Sequence, residues 1–190
     1  MITRKQKEIL KNLNIDKSWT LFLDRDGVIN RKIEGDYVRC WKQFEFLPKV
    51  IEALKILSGI FGRIIIVTNQ RGIGRGLMTE KDLEYIHNNM LYILKKEGVK
   101  IDKIYYCPHD YEKERCNCRK PNVGMALQAK RDFPEIDFSK SVMIGDSLID
   151  VEFANKLNMK SFLVGSHDLA DFESLYEFAV CLRKHGENKN

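Results

Sequence analysis

The chain has 190 residues, 44% hydrophobic and 31% charged, with a net charge of +5, which suits one soluble globular domain with an ample core and leaves no room for a second, substrate-binding domain. The positive balance would suit an anionic substrate, but lysine and arginine are scattered through termini, helix ends and loops, so no basic track for nucleic acid stands out. Met1 to Lys7 lacks the apolar core of a signal peptide and no apolar run reaches membrane-spanning length, so a cytoplasmic chain without a membrane partner is expected.

In chain order, Thr3 to Lys11 reads as a short polar helix in an N-terminal extension (residues 1–16), set before the domain by Asn12, Leu13 and Asn14. The apolar run Thr20 to Leu23 reads as a strand that stops at Asp24-Arg25-Asp26-Gly27. Pro48 opens a helix with Val50, Ile51, Leu54 and Leu57 on one face, ending near Gly59, and Ile64 to Val67 is the second strand. Thr79-Glu80-Lys81-Asp82 has the form of a capping box. Leu83, Ile86, Met90, Ile93 and Leu94 continue at helical spacing up to Gly98, with His87 placed off that face at the surface. A third strand, Lys103 to Tyr106, runs into a cysteine-rich loop. A helix over about Val123 to Asp132, a strand from Val142 to Ile144, a helix over Leu148 to Leu157, a strand from Ser161 to Val164 and a helix from Leu169 follow, with a frayed tail at 184–190. This alternation predicts a Rossmann-like three-layer α/β/α fold, a parallel sheet with right-handed crossovers and helices on both faces.

Open parallel sheets build their sites beyond the carboxyl ends of their strands. Asp24 and Asp26 lie two residues apart at such an end and mark a candidate nucleophile, although turn and capping chemistry explains many acids in that position. Three further segments join them: Thr68-Asn69-Gln70 after the second strand, Arg119-Lys120-Pro121 before a helical pattern, and Asp146 after the fourth strand with Asp150 four residues on. Of the five cysteines, Cys40 and Cys181 are assigned to packing. Cys107, His109, Cys116 and Cys118 supply three thiols and one imidazole within 12 residues, the ligand set of a closed zinc site. Redox-active cysteines are the competing reading, disfavoured by ligand type and count. A metal in loop 107–118 would stiffen the segment that carries Arg119 and Lys120.

In this order, over roughly residues 20 to 165, the segments resemble the haloacid-dehalogenase superfamily of phosphotransferases. The run Cys107-Pro108-His109 with Cys116-Asn117-Cys118-Arg119-Lys120-Pro121 is similar to the zinc-loop branch that holds heptose bisphosphate phosphatases and histidinol-phosphate phosphatases. Thr68 to Gly76 looks nearer the heptose type. The resemblance implies a capless phosphatase domain over residues 1–190 with Mg²⁺ and Zn²⁺ as cofactors. It implies that Asp24 attacks phosphorus and Asp26 serves as general acid and base. Asp24, the main-chain carbonyl of Asp26 and Asp146 would hold Mg²⁺, which offsets repulsion between nucleophile and phosphate. Thr68 and Lys120 would bind the transferring phosphoryl oxygens. Asn69, Gln70 and Arg71 would contribute to substrate binding, and the planar fork of Arg119 suits a second phosphate or sugar hydroxyls. Asp150 would support the metal shell or the Lys120 ammonium, with a helix-surface acid as an equal alternative. Two features depart from the family: Ser147 stands where members often carry lysine, and six residues separate His109 from Cys116, nearer the histidinol-phosphate type.

The expected substrate is therefore a small phosphorylated sugar, the 7-phosphate of a heptose 1,7-bisphosphate, with histidinol phosphate, which is not a sugar, as the alternative. With no cap, the loops between Asn30 and Tyr37 shape the pocket, and Arg31, Lys32 and Arg75 are further anchors for a second phosphate. Polynucleotide 3′-phosphatases share the Asp-x-Asp-Gly and Thr-Asn-Gln segments but lack the zinc loop, and no aromatic-basic track for a single strand is visible here. A non-catalytic module is disfavoured because all four segments retain suitable residues. A monomer without a nucleic-acid partner is expected.

Overall fold

The computed structural model describes residues 3–11 and 13–187. Strands β1 (Thr20–Leu23), β2 (Arg63–Asn69), β3 (Lys103–Cys107), β4 (Ser141–Gly145) and β5 (Lys160–Leu163) form one parallel sheet in the order β3-β2-β1-β4-β5. Helices α1 (Arg4–Leu10), α2 (Val50–Ile60), α3 (Glu80–Lys96), α4 (Gly124–Asp132), α5 (Leu148–Asn155) and α6 (Leu175–Glu187) complete the chain. From β1 the chain builds outward on one side through β2 and β3, then returns to the other side of β1 for β4 and β5. This reversal opens a crevice beyond the carboxyl ends of β1 and β4, where parallel sheets place ligands.

The central strands β1, β2 and β4 are largely apolar because both faces are covered, and successive side chains serve opposite layers. Leu21, Leu23, Ile64, Ile66, Val142 and Ile144 pack with α1, α2, α3 and α6. Phe22, Ile65, Val67 and Met143 pack with Met125, Ala126 and Ala129 of α4 and with Phe153 and Ala154 of α5. On α2 the buried residues are Val50, Ala53, Leu54 and Leu57. The capping box of α3 forms as the spacing predicts, the Thr79 hydroxyl accepting from the Asp82 amide while the Asp82 carboxylate accepts from the Thr79 amide.

Five expectations change. His87 is buried on α3, because it stands four residues after Leu83 and three before Met90 and so shares their face. Leu169 does not start the last helix: it is exposed, the backbone of residues 171 and 172 is bonded to Leu163, and α6 begins at Leu175. The N-terminal helix is not set apart, since Leu10 and Leu13 are buried in the core and Gln6 Nε2 donates to Glu177 Oε1 of α6 at 2.9 Å. Cys40 is exposed rather than packed, whereas Cys181 is buried. Of the tail, residues 184–187 belong to α6 and residues 188–190 lie outside the described residues. No helix among the described residues is long and apolar enough to cross a membrane.

Candidate active site

Two glycines let the acidic strand ends approach each other. Gly27 turns the chain after β1 with φ +86°, and a Cβ there would lie 2.4 Å from Asp146 Oδ2. A Cβ on Gly145 would lie 2.2 Å from Cβ and 2.3 Å from a carboxylate oxygen of Asp150. Any side chain at either position would collide with an acid of the site. Asp24, Asp146 and Asp150 can thereby each offer an oxygen within 4.8 Å of the others.

Lys120 supplies the opposing charge. Its buried ammonium lies 3.1 Å from Asp24 Oδ1 and 2.6 Å from Asp150 Oδ1, and the Ser147 hydroxyl donates to Asp150 Oδ2 at 2.9 Å. Burial alone would lower the Lys120 pKa, but Asp24 and Asp150 outweigh it and hold the amine charged. The Asn69 side-chain amide clamps the Lys120 backbone, accepting from its N–H at 3.0 Å and donating to its carbonyl at 3.1 Å. Lys32, from the loop after β1, is half-exposed and reaches Asp146 Oδ2 at 2.7 Å.

Asp24 and Asp26 have opposite surroundings. Burial pushes the Asp24 carboxyl up to about 7, with Lys120 pulling down and Asp150, Asp26 and Asp146 adding to the rise. Burial would also raise Asp26, but the Arg25 charge and hydrogen bonds from Asn30, Arg25 and Gln70 prevail and hold it below the usual carboxylate range. Arg25 Nη2 lies 2.9 Å from both Asp26 oxygens, Asn30 Nδ2 donates to Oδ1 at 2.9 Å and Gln70 Nε2 to Oδ2 at 2.8 Å. Gln70 Nε2 also donates to the Thr68 hydroxyl at 3.0 Å, so that oxygen accepts from behind.

A pocket of about 180 Å³ is lined by Asp24, Asp26, Lys32, Thr68, Asn69, Arg119, Lys120, Asp146, Ser147, Ile149 and Asp150. Arg119, Lys120 and Ile149 also line a groove of about 500 Å³ along the cysteine loop, with Tyr111, Glu114 and Arg115. Two residues expected to bind substrate are turned elsewhere. Arg71 pairs with Asp110 at 2.6 Å and Glu112 at 2.7 Å, so its fork ties β2 to the cysteine loop rather than facing the pocket. Gln70 is buried behind Asp26 and Thr68. Arg31 faces Glu45 at 3.3 Å, and Arg75 is exposed outside the pocket lining. Arg119 stays at the pocket wall with its guanidinium 4.7 Å above the Tyr111 ring.

Cys107, His109, Cys116 and Cys118 converge at the carboxyl end of β3. Cys107 Sγ lies 3.5 Å from Cys116 Sγ and 3.0 Å from Cys118 Sγ, and His109 Nδ1 lies 3.1 Å from Cys118 Sγ. Three sulfurs and one nitrogen at such separations are the edges of a small tetrahedron, the donor set that suits zinc.

A family model described as HAD-hydrolase-like (Hydrolase_like) matches residues 117–179. A D-glycero-alpha-D-manno-heptose-1,7-bisphosphate 7-phosphatase of Mycobacterium bovis is 43% identical over 174 residues, covering 86% of this chain and 91% of that protein. The chain belongs to the haloacid-dehalogenase superfamily of phosphatases. An Escherichia coli D-glycero-beta-D-manno-heptose-1,7-bisphosphate 7-phosphatase is 41% identical over 145 residues, 73% of this chain and 74% of that one. The D,D-heptose 1,7-bisphosphate phosphatase of B. bronchiseptica, solved with magnesium and phosphate, superimposes with a TM-score of 0.77 at 28% identity, covering 87% of this chain and 98% of that one.

For a haloacid-dehalogenase phosphatase the hard carboxylate oxygens of Asp24 and Asp146 fit a divalent cation of the magnesium type. Asp150 is the less available donor, because Lys120 and Ser147 occupy its oxygens. The Asp26 carboxylate is likewise committed to Arg25, Asn30 and Gln70. Arg25, Asn30 and His87 are the site residues that motif reading passed over. Arg25 sits unremarked inside Asp-x-Asp, and His87 was findable from its spacing to Leu83 and Met90 had a polar residue been allowed on the buried face.

Proposed function

We propose that the chain is a magnesium-dependent phosphomonoesterase that removes the 7-phosphate of D-glycero-D-manno-heptose 1,7-bisphosphate in the cytoplasm. The observation that carries this reading is the convergence of Asp24, Thr68, Lys120 and Asp146 on one small pocket that continues past Arg119 into a groove. A substrate with a reacting phosphate in the pocket and a sugar with a second phosphate toward Arg119 matches that shape and charge. Five cysteines without a disulfide suit a reducing compartment.

Asp24 attacks phosphorus while the bond to the sugar oxygen breaks, and Asp26 gives that oxygen a proton. Water then attacks the aspartyl-phosphate, returns a proton to Asp26 and frees Asp24 and phosphate. Thr68 and Lys120 present a hydroxyl and an ammonium to the transferring oxygens. Asp24, Asp146 and the Asp26 main chain would hold a divalent cation, which would supply positive charge to offset the repulsion between an anionic nucleophile and a phosphate. Cys107, His109, Cys116 and Cys118 would hold zinc, which would tie down the loop that delivers Arg119 and Lys120.

A substrate panel tests the reading. We expect kcat/KM at least about tenfold higher for one anomer of heptose 1,7-bisphosphate than for histidinol phosphate or a 3′-phosphorylated oligonucleotide. Either of the latter as best substrate would overturn the assignment. Elemental analysis of the purified protein should find one zinc per chain, and freely alkylated loop cysteines without metal would remove that site.

A further inference from the structure

The buried histidine of α3 belongs to a chain of polar groups that ends on Asp26. Arg25, wholly buried, lies with Nη1 3.0 Å from His87 Nε2, while its Nη2 bridges both Asp26 oxygens at 2.9 Å. A guanidinium only donates, so His87 Nε2 must accept, which requires a neutral ring with its proton on Nδ1. Burial first, and then the Arg25 charge, bring the His87 pKa down to about 3, with Asp26 pulling weakly the other way, in keeping with that neutral form. The ring is seated against Tyr106, their centroids 6.2 Å apart.

This arrangement is poorly explained as a stabilising core. Among the described residues, Arg25 Nε, Asn30 Oδ1 and Gln70 Oε1 are buried without a hydrogen-bond partner, and each such group costs stability that an apolar replacement would avoid. What the chain of groups does provide is a fixed carboxylate. Two donors meet each Asp26 oxygen, which fills the acceptor sites of a carboxylate. Protonation of one oxygen then requires a donor to yield, and the shared Nη2 is the one that can shift wholly onto its neighbour.

We propose that His87 is a positioning residue for the phosphatase reaction: it hinges the Arg25 guanidinium so that Asp26 holds its line while taking up and releasing the proton of the leaving oxygen. The inference rests on the general-acid reading of Asp26. During transfer the phosphorus gains a bond to Asp24 and loses its bond to the ester oxygen, which keeps the electron pair and takes the Asp26 proton. The effect of His87 therefore grows as the leaving group becomes more dependent on that proton.

The test compares kcat/KM for phenyl phosphate, which expels a basic oxygen, and p-nitrophenyl phosphate, which expels a stable anion. Because kcat/KM ends at release of the leaving group, it reports binding and the first transfer, in which Asp26 acts as acid, and leaves out hydrolysis of the aspartyl-phosphate. His87→Phe removes the acceptor and should lower kcat/KM for phenyl phosphate at least about tenfold, and for p-nitrophenyl phosphate less than about threefold. His87→Gln places an acceptor near the Nε2 position and should restore both to within about threefold of the parent. Should His87→Phe fail to fold, Arg25→Lys, which keeps the cation and loses the fork, should show the same leaving-group dependence. Asp26→Asn separates the two readings. If it slows both esters equally, the acid assignment of Asp26 falls, and the His87 inference with it. If it is selective for phenyl phosphate while His87→Phe and Arg25→Lys slow both esters alike, or His87→Gln is no better than His87→Phe, the His87 inference is overturned and the Asp26 reading stands.

Discussion

Asp24 and Asp26 leave the same strand end two residues apart, and the two halves of the site around them are built differently. On the β4 side, Asp24 shares Lys120 with Asp150 and lies near Asp146, a crowd of acids around one buried amine. On the α3 side, Asp26 alone receives Arg25, Asn30 and Gln70, backed by a neutral histidine. The first half gathers more negative charge than its buried lysine balances, which suits a cation and an attacking oxygen. The second has its donors matched to one carboxylate, which suits a group that must keep its direction while a proton comes and goes. Side chains of the same type at adjacent outward positions thus acquire separate roles from their neighbours.

Substitution on the β4 side should have the largest effect. Asp24→Asn removes the proposed nucleophile and metal ligand without changing size, and turnover of any phosphate ester should fall by at least about a thousandfold with the melting temperature preserved. Retention of more than about a hundredth of the activity in steady-state assays would show that the halves are not divided in this way. Asp26→Asn should be milder, a loss of about a hundredfold, because attack at phosphorus persists without proton transfer. A loss equal to that of Asp24→Asn would erase the distinction.

Two stability measurements sharpen the contrast. Asp150→Asn leaves Lys120 buried with Asp24 as its one carboxylate partner, and because the amide oxygen still accepts from the amine, urea unfolding should register a loss of about 1.5 kcal/mol. His87 makes the α3 side sensitive to acid. Its folded pKa lies near 3 against an ordinary 6.5, so its contribution is complete above the ordinary value and is lost as pH falls from there toward the folded one. Between about pH 7.5 and pH 5 the parent should lose about 2 kcal/mol more than His87→Gln, which has no ring to protonate. Parallel pH dependence of the two proteins would mean that His87 charges without penalty.

The parallel sheet was legible because strands covered on both faces must be apolar throughout, as Leu21 to Leu23 and Ile64 to Val67 are, and because acids and glycines interrupt such runs only where the chain turns. The cysteine loop was legible for a related reason: ligand spacing is local, so Cys107, His109, Cys116 and Cys118 declare themselves within one short segment. The start of α6 was misplaced because the apolar Leu169 is exposed while Phe172, bridged to Val164 beside β5, is buried, and propensity does not record such a tether.

By itself the sequence determined which residue types stand at the strand ends and hence the chemistry available to Asp24, Asp26, Thr68, Lys120 and Asp146. Only the tertiary structure decided how those groups are shared. Arg71 is drawn away to Asp110 and Glu112, Asp150 is turned inward onto Lys120, and Arg25 with His87 stands behind Asp26. The physical reason is that a buried charge must find its partner through space. One partner of Lys120, Asp150, lies 30 positions along the chain, and one acceptor for Arg25, His87, lies 62 positions away on a helix whose buried face motif reading had assigned to apolar residues alone.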